Sequence, residues 1–182
     1  MGSYYFDIET NGLDPTTSQI ITIQYAELER RTGKQIGELK ILKSWELNQE
    51  EMLSKFTNDV KFYDDYVFNF IPVGYNLDFE NKFLNHYSKK YYMKEINFAS
   101  RPKIDLFSVG ILMNHGEFKG SRLDNFTTKK QSGTNIPIWY SNGRYDLIEE
   151  YIIDEAKGFV DWFEKLHIEM PLLNLKLQNI RF

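Results

Sequence analysis

Tyr4-Tyr5-Phe6-Asp7-Ile8-Glu9-Thr10 runs straight into Asn11-Gly12-Leu13-Asp14-Pro15, so two carboxylates spaced i, i+2 close a hydrophobic strand just before a turn. Residues two apart in a strand point to the same face. Asp7 and Glu9 therefore project together, and Ile8 turns the other way into the core. Polar residues alternating at a strand end commonly just face water. Here the strand is very apolar, the Gly/Pro turn is immediate, and matching acids recur further along the chain. Two carboxylates held close repel and resist ionising together. A divalent cation removes that repulsion, and hard oxygen ligands suit Mg²⁺ or Mn²⁺.

Working outward, residues 4–8 are the first strand. Residues 19–28 alternate Ile21, Ile23 and Tyr25 against Thr22 and Gln24, as a strand does. Arg31-Thr32-Gly33-Lys34 is a hairpin turn leading to a third strand over 37–47, which makes an antiparallel meander. Residues 49–62 have helical spacing, and 67–73 form a buried strand ending at Gly74. Residues 78–91 are helical, with Phe79, Phe83 and Tyr87 on one face. Two short helices are expected over 104–113 and 122–130, with a loop over 137–142. The longest helix covers 145–164, and Pro171 is expected to end that region. Residues 171–182 then form a tail, an extra strand or a packing arm. Three antiparallel strands followed by helix, strand and helices give an α/β fold: a mixed sheet with helices on its faces. There is no internal repeat or linker, so residues 1–182 are read as one domain.

The second acid-bearing segment, Val73-Gly74-Tyr75-Asn76-Leu77-Asp78-Phe79-Glu80, follows the buried strand and opens a helix. Acids in a first helical turn are also favoured by the dipole alone. Ile104-Asp105-Leu106 offers Asp105 as a helix cap rather than a ligand. On the long helix Tyr151 and Glu155 are i, i+4 and share a face. Asp154 lies about 100° round from Glu155 and is the weaker candidate.

Phe-Asp-Ile-Glu-Thr-x-Gly-Leu, with Pro15 shortly after, resembles the first motif of the DEDD-type 3′–5′ exonucleases, which adopt the ribonuclease-H-like fold. The resemblance spans roughly residues 4–166. It is nearest to small stand-alone exonucleases related to the proofreading domains of family-B polymerases. In the second motif Asn76, Phe79, Glu80, Phe83 and Leu84 keep the family's spacing, with Glu80 in place of the family's Asp and Asp78 a possible substitute. The third motif carries a His or a Tyr before its final acid. No His lies in residues 146–157, so the match is to the Tyr type through Tyr151 and Glu155, where Glu again replaces Asp.

The resemblance implies a cage of Asp7, Glu9, Glu80 and Glu155 around two divalent cations, Mg²⁺ or Mn²⁺. Asp7 would bridge the ions and Glu9 would face the attacking water and the scissile phosphate, while Tyr151 orients that water. Thr10, Asn11, Asn76 and Phe79 would contact the substrate, with Phe79 or Tyr75 stacking on the terminal base. The expected partner is the 3′ end of a single-stranded nucleic acid, DNA or RNA, and the products are nucleoside 5′-monophosphates. Two alternatives accompany this reading. One is a nucleic-acid-binding or scaffolding domain weakened by the Glu-for-Asp departures, and the other is an oligoribonuclease-like phosphoesterase.

Composition narrows the field further. The 182 residues contain no cysteine, which excludes disulfides, Cys-ligated zinc and thiol nucleophiles. The three histidines, His86, His115 and His167, are far apart and show no metal-ligand spacing. No apolar run reaches membrane-span length, and no secretory signal precedes the first strand; a cytoplasmic protein is expected. The net charge of −4 is not a basic nucleic-acid footprint, although an acid-rich metal site contributes to it. Aromatic residues make up 16% of the chain, more than a handful of stacking platforms would need, so most belong to the core.

Overall fold

The computed structural model describes residues 2–92, 94–127 and 133–179. Five strands form one mixed sheet: β1 (Ser3–Thr10), β2 (Ile20–Leu28), β3 (Lys40–Lys43), β4 (Ile71–Gly74) and β5 (Ile104–Asp105). Their order is β3-β2-β1-β4-β5. β1–β2 and β2–β3 are antiparallel, and β1–β4 and β4–β5 are parallel. The helices are α1 (Gln49–Asp59), α2 (Leu77–Tyr92), α3 (Phe107–Met113), α4 (Ile136–Ser141) and α5 (Tyr145–Gln178). The expected mixed sheet with flanking helices is therefore the observed one.

β1 is central and its two faces feed separate cores, because strand side chains alternate. Phe6 and Ile8 pack with Phe56 of α1 and Leu77, Phe83 and Leu84 of α2. Tyr5 points the other way, into a cluster with Val73, Ala156, Phe159 and Phe163 that mounts α5 on the opposite face. α1 opens with a capping box: the Asn48 side chain accepts from the Glu51 N–H at 3.0 Å, and the Glu51 carboxylate accepts from the Asn48 N–H at 2.9 Å.

Several boundaries differ from the sequence reading. The third strand shrinks to Lys40–Lys43, the stretch that runs opposite Thr22–Tyr25 of β2. α1 stops at Asp59, and the chain turns through Lys61 at φ 52°. The expected strand over 67–73 is a 3-10 turn at Val67–Asn69 and then β4. The β1–β4 pairing starts at Ser3 opposite Ile71; ahead of it the Gly2 N–H donates to Phe68 O at 3.0 Å, a single bond rather than a ladder. The expected helix over 104–113 starts as β5, and only Phe107–Met113 is helical, because Asp105 stops to cap its surroundings. Of the helix expected over 122–130, one 3-10 turn forms at Leu123–Asn125, and residues 128–130 lie outside the described residues.

Of residues 137–142, expected as a loop, 137–141 belong to α4 and Asn142 caps it. Pro137 sits in its first turn, where the missing N–H has no intrahelical partner to lose. Pro171 does not end α5, and the extra-strand reading of the tail is overturned: the helix continues to Gln178. One backbone bond is lost at Pro171, and good helix formers (Leu172, Leu173, Leu175, Lys176, Leu177) follow it. Among the described residues no helix is long and apolar enough to cross a membrane.

Candidate active site

Asp7 and Glu9 share the face of β1 that α5 covers, with Ile8 buried behind them as expected. That face is not simply solvated. Register sets Gln24 opposite Asp7 and Thr22 opposite Glu9, and both β2 residues are completely buried. Gln24 Nε2 donates to Asp7 Oδ2 at 2.7 Å, and Thr22 Oγ1 donates to Gln24 Oε1 at 3.0 Å. The carboxamide is thereby fixed in the orientation that offers its N–H to the acid. The β1–β2 register shifts between Glu9 and Thr10, a kink of the kind that re-aims strand-end side chains beside functional sites.

α5 brings the third motif over this face. Tyr151 and Glu155 are both buried, one helical turn apart on the inward side. One carboxylate oxygen each from Asp7, Glu9 and Glu155 lie within 4.8 Å of one another, a spacing that can hold a metal ion. The Tyr151 hydroxyl is hydrogen-bonded to Glu155, and burial, followed by the charges of Glu155 and Glu9, holds its pKa far above the ordinary 10.0. It is a neutral donor, not a base. Gly133 presses on it: a Cβ there would sit 2.8 Å from the Tyr151 hydroxyl and 4.0 Å from Glu9 Oε2.

Glu80 comes in from the first turn of α2. It is 4% exposed, and its Oε2 has no hydrogen-bond partner among the described residues. Burial raises its pKa well above the usual 4.5, and the Asp7 charge adds to the rise. Asp78, its possible substitute, is turned outward and ion-paired with Lys103 at 2.6 Å. Asp154 is partly buried and is not among the three clustered acids.

Asp105 does more than the expected capping of one helix. Its carboxylate accepts from Asn76 N and Leu77 N at 2.9 Å and from Phe107 N at 3.0 Å. These bonds tie the N-terminus of α2, and with it Glu80, to the end of β5. They also hold Asn76 in the left-handed region at φ 66°, which Asn tolerates better than most residues.

Two of these acids, Glu9 and Glu155, open onto a cleft of about 660 Å³. Glu9, Tyr151 and Glu155 line it, with Thr10, Asn76, Phe79 and Tyr75 among its walls and Leu13, 84% exposed, at its edge. Three of the four expected substrate contacts are thus at the cleft. Asn11 is engaged elsewhere: its Oδ1 accepts from Gln19 N at 2.8 Å and its own N–H donates to Gln19 O at 3.2 Å, closing the loop after β1. Tyr75 is anchored by donating to Ser121 O at 2.6 Å.

Four participants were not singled out in the sequence: Gln24, Thr22, Gly133 and Tyr5. The Thr22/Gln24 alternation is the same pattern that a solvated strand face gives, and only the register with Asp7 and Glu9 distinguishes the two. Tyr5 looks like any core aromatic. Its ring packs 5.1 Å from Phe159, but its buried hydroxyl has no partner among the described residues and feels the charges of Asp7, Glu155, Glu9 and Glu80.

A family model described as RNase_H superfamily matches residues 4–142. Comparison with curated proteins finds no match. Among solved structures, an ExoI/SSB-Ct complex superposes over 94% of this chain and 42% of its own, with a TM-score of 0.64 and 10% identity. E. coli exonuclease I in complex with a dT13 oligonucleotide does so over 100% and 44%, at 0.61 and 12%. The metal-free form of an E. coli ExoI–ssDNA complex matches over 69% and 34%, at 0.52 and 12%. The chain spans less than half the length of these structures, and at such identities the likeness is one of fold.

Proposed function

As a member of the RNase_H superfamily, the chain is, we propose, a metal-dependent 3′–5′ exonuclease that hydrolyses the terminal phosphodiester of a single-stranded nucleic acid and releases nucleoside 5′-monophosphates. The observation that carries this reading is the convergence of Asp7, Glu9 and Glu155, within 4.8 Å, from a strand and a helix, with Glu9 and Glu155 lining a cleft.

The residues suit two divalent cations. The donor set is all carboxylate oxygen, the set preferred by Mg²⁺ and Mn²⁺. Glu80 contributes a buried oxygen with no other partner among the described residues, next to the Asp7 charge. Asp7, Glu9, Glu80 and Glu155 would hold the ions, which supply activation of water and stabilisation of the leaving 3′-oxygen.

The protein's own groups do the rest. Gln24 holds Asp7 in one orientation. Tyr151, neutral at any physiological pH, has its one hydroxyl proton on Glu155 and orients the attacking water through the lone pairs of its oxygen, taking no proton itself. Phe79 offers a ring to the terminal base and Thr10 and Asn76 offer polar edges to its sugar. The use of nucleic acid gains support from the oligonucleotide-bound exonuclease I that shares the fold.

The test is digestion of 5′-labelled single-stranded DNA and RNA with Mg²⁺ or Mn²⁺. Stepwise shortening from the 3′ end, abolished by chelator, is expected. Binding without shortening under every metal condition would make the chain a nucleic-acid-binding domain instead. Undiminished cleavage in excess chelator would remove the metal from the reading.

A further inference from the structure

We propose that the outward face of α2 carries the sugar–phosphate backbone of the strand upstream of the cleft, through Lys82, His86 and Lys90. This rests on the nuclease reading above and gives the substrate a path.

Phe79, Lys82, His86 and Lys90 are spaced by three, four and four residues, so they form one stripe along the helix. α2 is buried through Leu77, Glu80, Phe83, Leu84, Tyr87 and Ser88, so the stripe runs along the edge of its exposed face, with Lys82 and Lys90 exposed and Phe79 and His86 half-buried. Phe79 lines the cleft, and the stripe leads away from it for about 16 Å at the helical rise, room for a few nucleotides of an extended strand. The loop after β1 follows the same route. Leu13 borders the cleft, His86 is close enough to act on the charge of Asp14, and Tyr87 donates to Ser18 O at 2.8 Å. The cleft edge and the middle of α2 are therefore one continuous surface.

The charge on this stripe is available. Among the described residues Lys82 and Lys90 have no ion-pair partner, whereas Lys89, just off the stripe, pairs with Glu95 at 3.3 Å. Asp78, one turn before Lys82, is taken by Lys103. Asp14 is the acid facing His86, and its carboxylate already accepts from the Thr16 N–H and hydroxyl at 2.9 and 2.8 Å. In a chain of net charge −4, two lysines without an ion-pair partner on one stripe are a local departure from the average. The Lys90 ammonium also lies 5.5 Å over the half-buried Tyr91 ring, giving the far end an aromatic surface beside a cation, the combination that single-strand sites use.

The experiment compares wild type with Lys82→Gln/Lys90→Gln on oligothymidylates of twelve and three nucleotides. Binding is read by anisotropy in chelator, and cleavage is read separately with metal. Affinity for the twelve-mer is expected to fall on the order of 10-fold at low salt, with the salt slope reduced by roughly 0.7 per lysine. Three-mer cleavage should fall much less, since Lys82 is one turn from Phe79 while Lys90 lies about three turns from it. Lys89→Gln should alter neither. Equal losses on both lengths, or no loss on the twelve-mer, would overturn the proposal. If wild type cleaves both lengths while the double variant behaves identically, the nuclease reading survives and the path falls. If wild type cleaves neither but the double variant loses twelve-mer binding, the surface stands and the nuclease reading falls.

Discussion

Gln24 Nε2 lies 2.7 Å from Asp7 Oδ2 inside the β1–β2 ladder, and the Gln24 side chain has no exposure to solvent. A buried carboxamide aimed at an acid has one orientation, and Thr22 enforces it. Partners that orient metal-binding acids typically influence metal affinity 10–100-fold.

Gln24→Met keeps the volume and removes the donor. The expected outcome is a metal requirement raised about 10-fold or more, read by Mn²⁺ titration of activity and by direct Mn²⁺ binding. The Thr22 hydroxyl loses its acceptor, so stability should also fall by about 1–2 kcal/mol. An unchanged Mn²⁺ affinity would show that Asp7 needs no such support.

Tyr5→Phe should act in the opposite direction on stability. The ring packs against Phe159, and the substitution keeps that contact while removing a buried hydroxyl that lacks a partner among the described residues. Metal-free protein should gain about 1 kcal/mol, measured by urea denaturation in chelator. A loss of similar size would mean that the hydroxyl is hydrogen-bonded in solution.

Glu80 gives a pH signature. Burial, with the Asp7 charge, raises its folded pKa above the unfolded 4.5, so the folded state holds a proton that the unfolded state has released. Its contribution to stability is fully present below the unfolded pKa and is lost as pH rises through the folded one. In chelator, the melting temperature of wild type relative to Glu80→Gln should therefore decline as pH rises above about 4.5. A flat difference across that range would place Glu80 in a solvated setting.

Much of this was legible in the chain because local rules and tertiary structure agree there. The apolar strand with Asp7 and Glu9 announces itself through period-two alternation, and Tyr151 and Glu155 through helical spacing. Glu80 was found through its spacing from Asn76 and Phe79, not its burial. Gln24 was not legible, since polar alternation reads identically whether the face meets water or buried acids. Gly133 carries no sequence signal at all, because its role depends on a contact with Tyr151 across the fold. Pro171 misled because a helix lacking tight packing can absorb one missing hydrogen bond.

Tyr151 and Gly133 supply a coupled test. Tyr151→Phe keeps the ring against Trp139 (6.2 Å, edge-on) and removes the hydroxyl that orients the water. The turnover number should fall on the order of 10²-fold with KM little changed. Gly133→Ala adds a Cβ 2.8 Å from that hydroxyl oxygen, closer than non-bonded contacts allow, and the buried ring has little room to retreat. A displacement near 1 Å also costs on the order of 10²-fold. Without the hydroxyl the nearest ring atom would be Cζ, at 3.5 Å, an ordinary contact. The double variant should therefore be no slower than Tyr151→Phe alone, a non-additivity expected only of groups in direct contact. Additive losses in the double variant would show that Gly133 acts through something other than the Tyr151 hydroxyl. Near-wild-type turnover in Tyr151→Phe would remove the tyrosine from the reaction altogether.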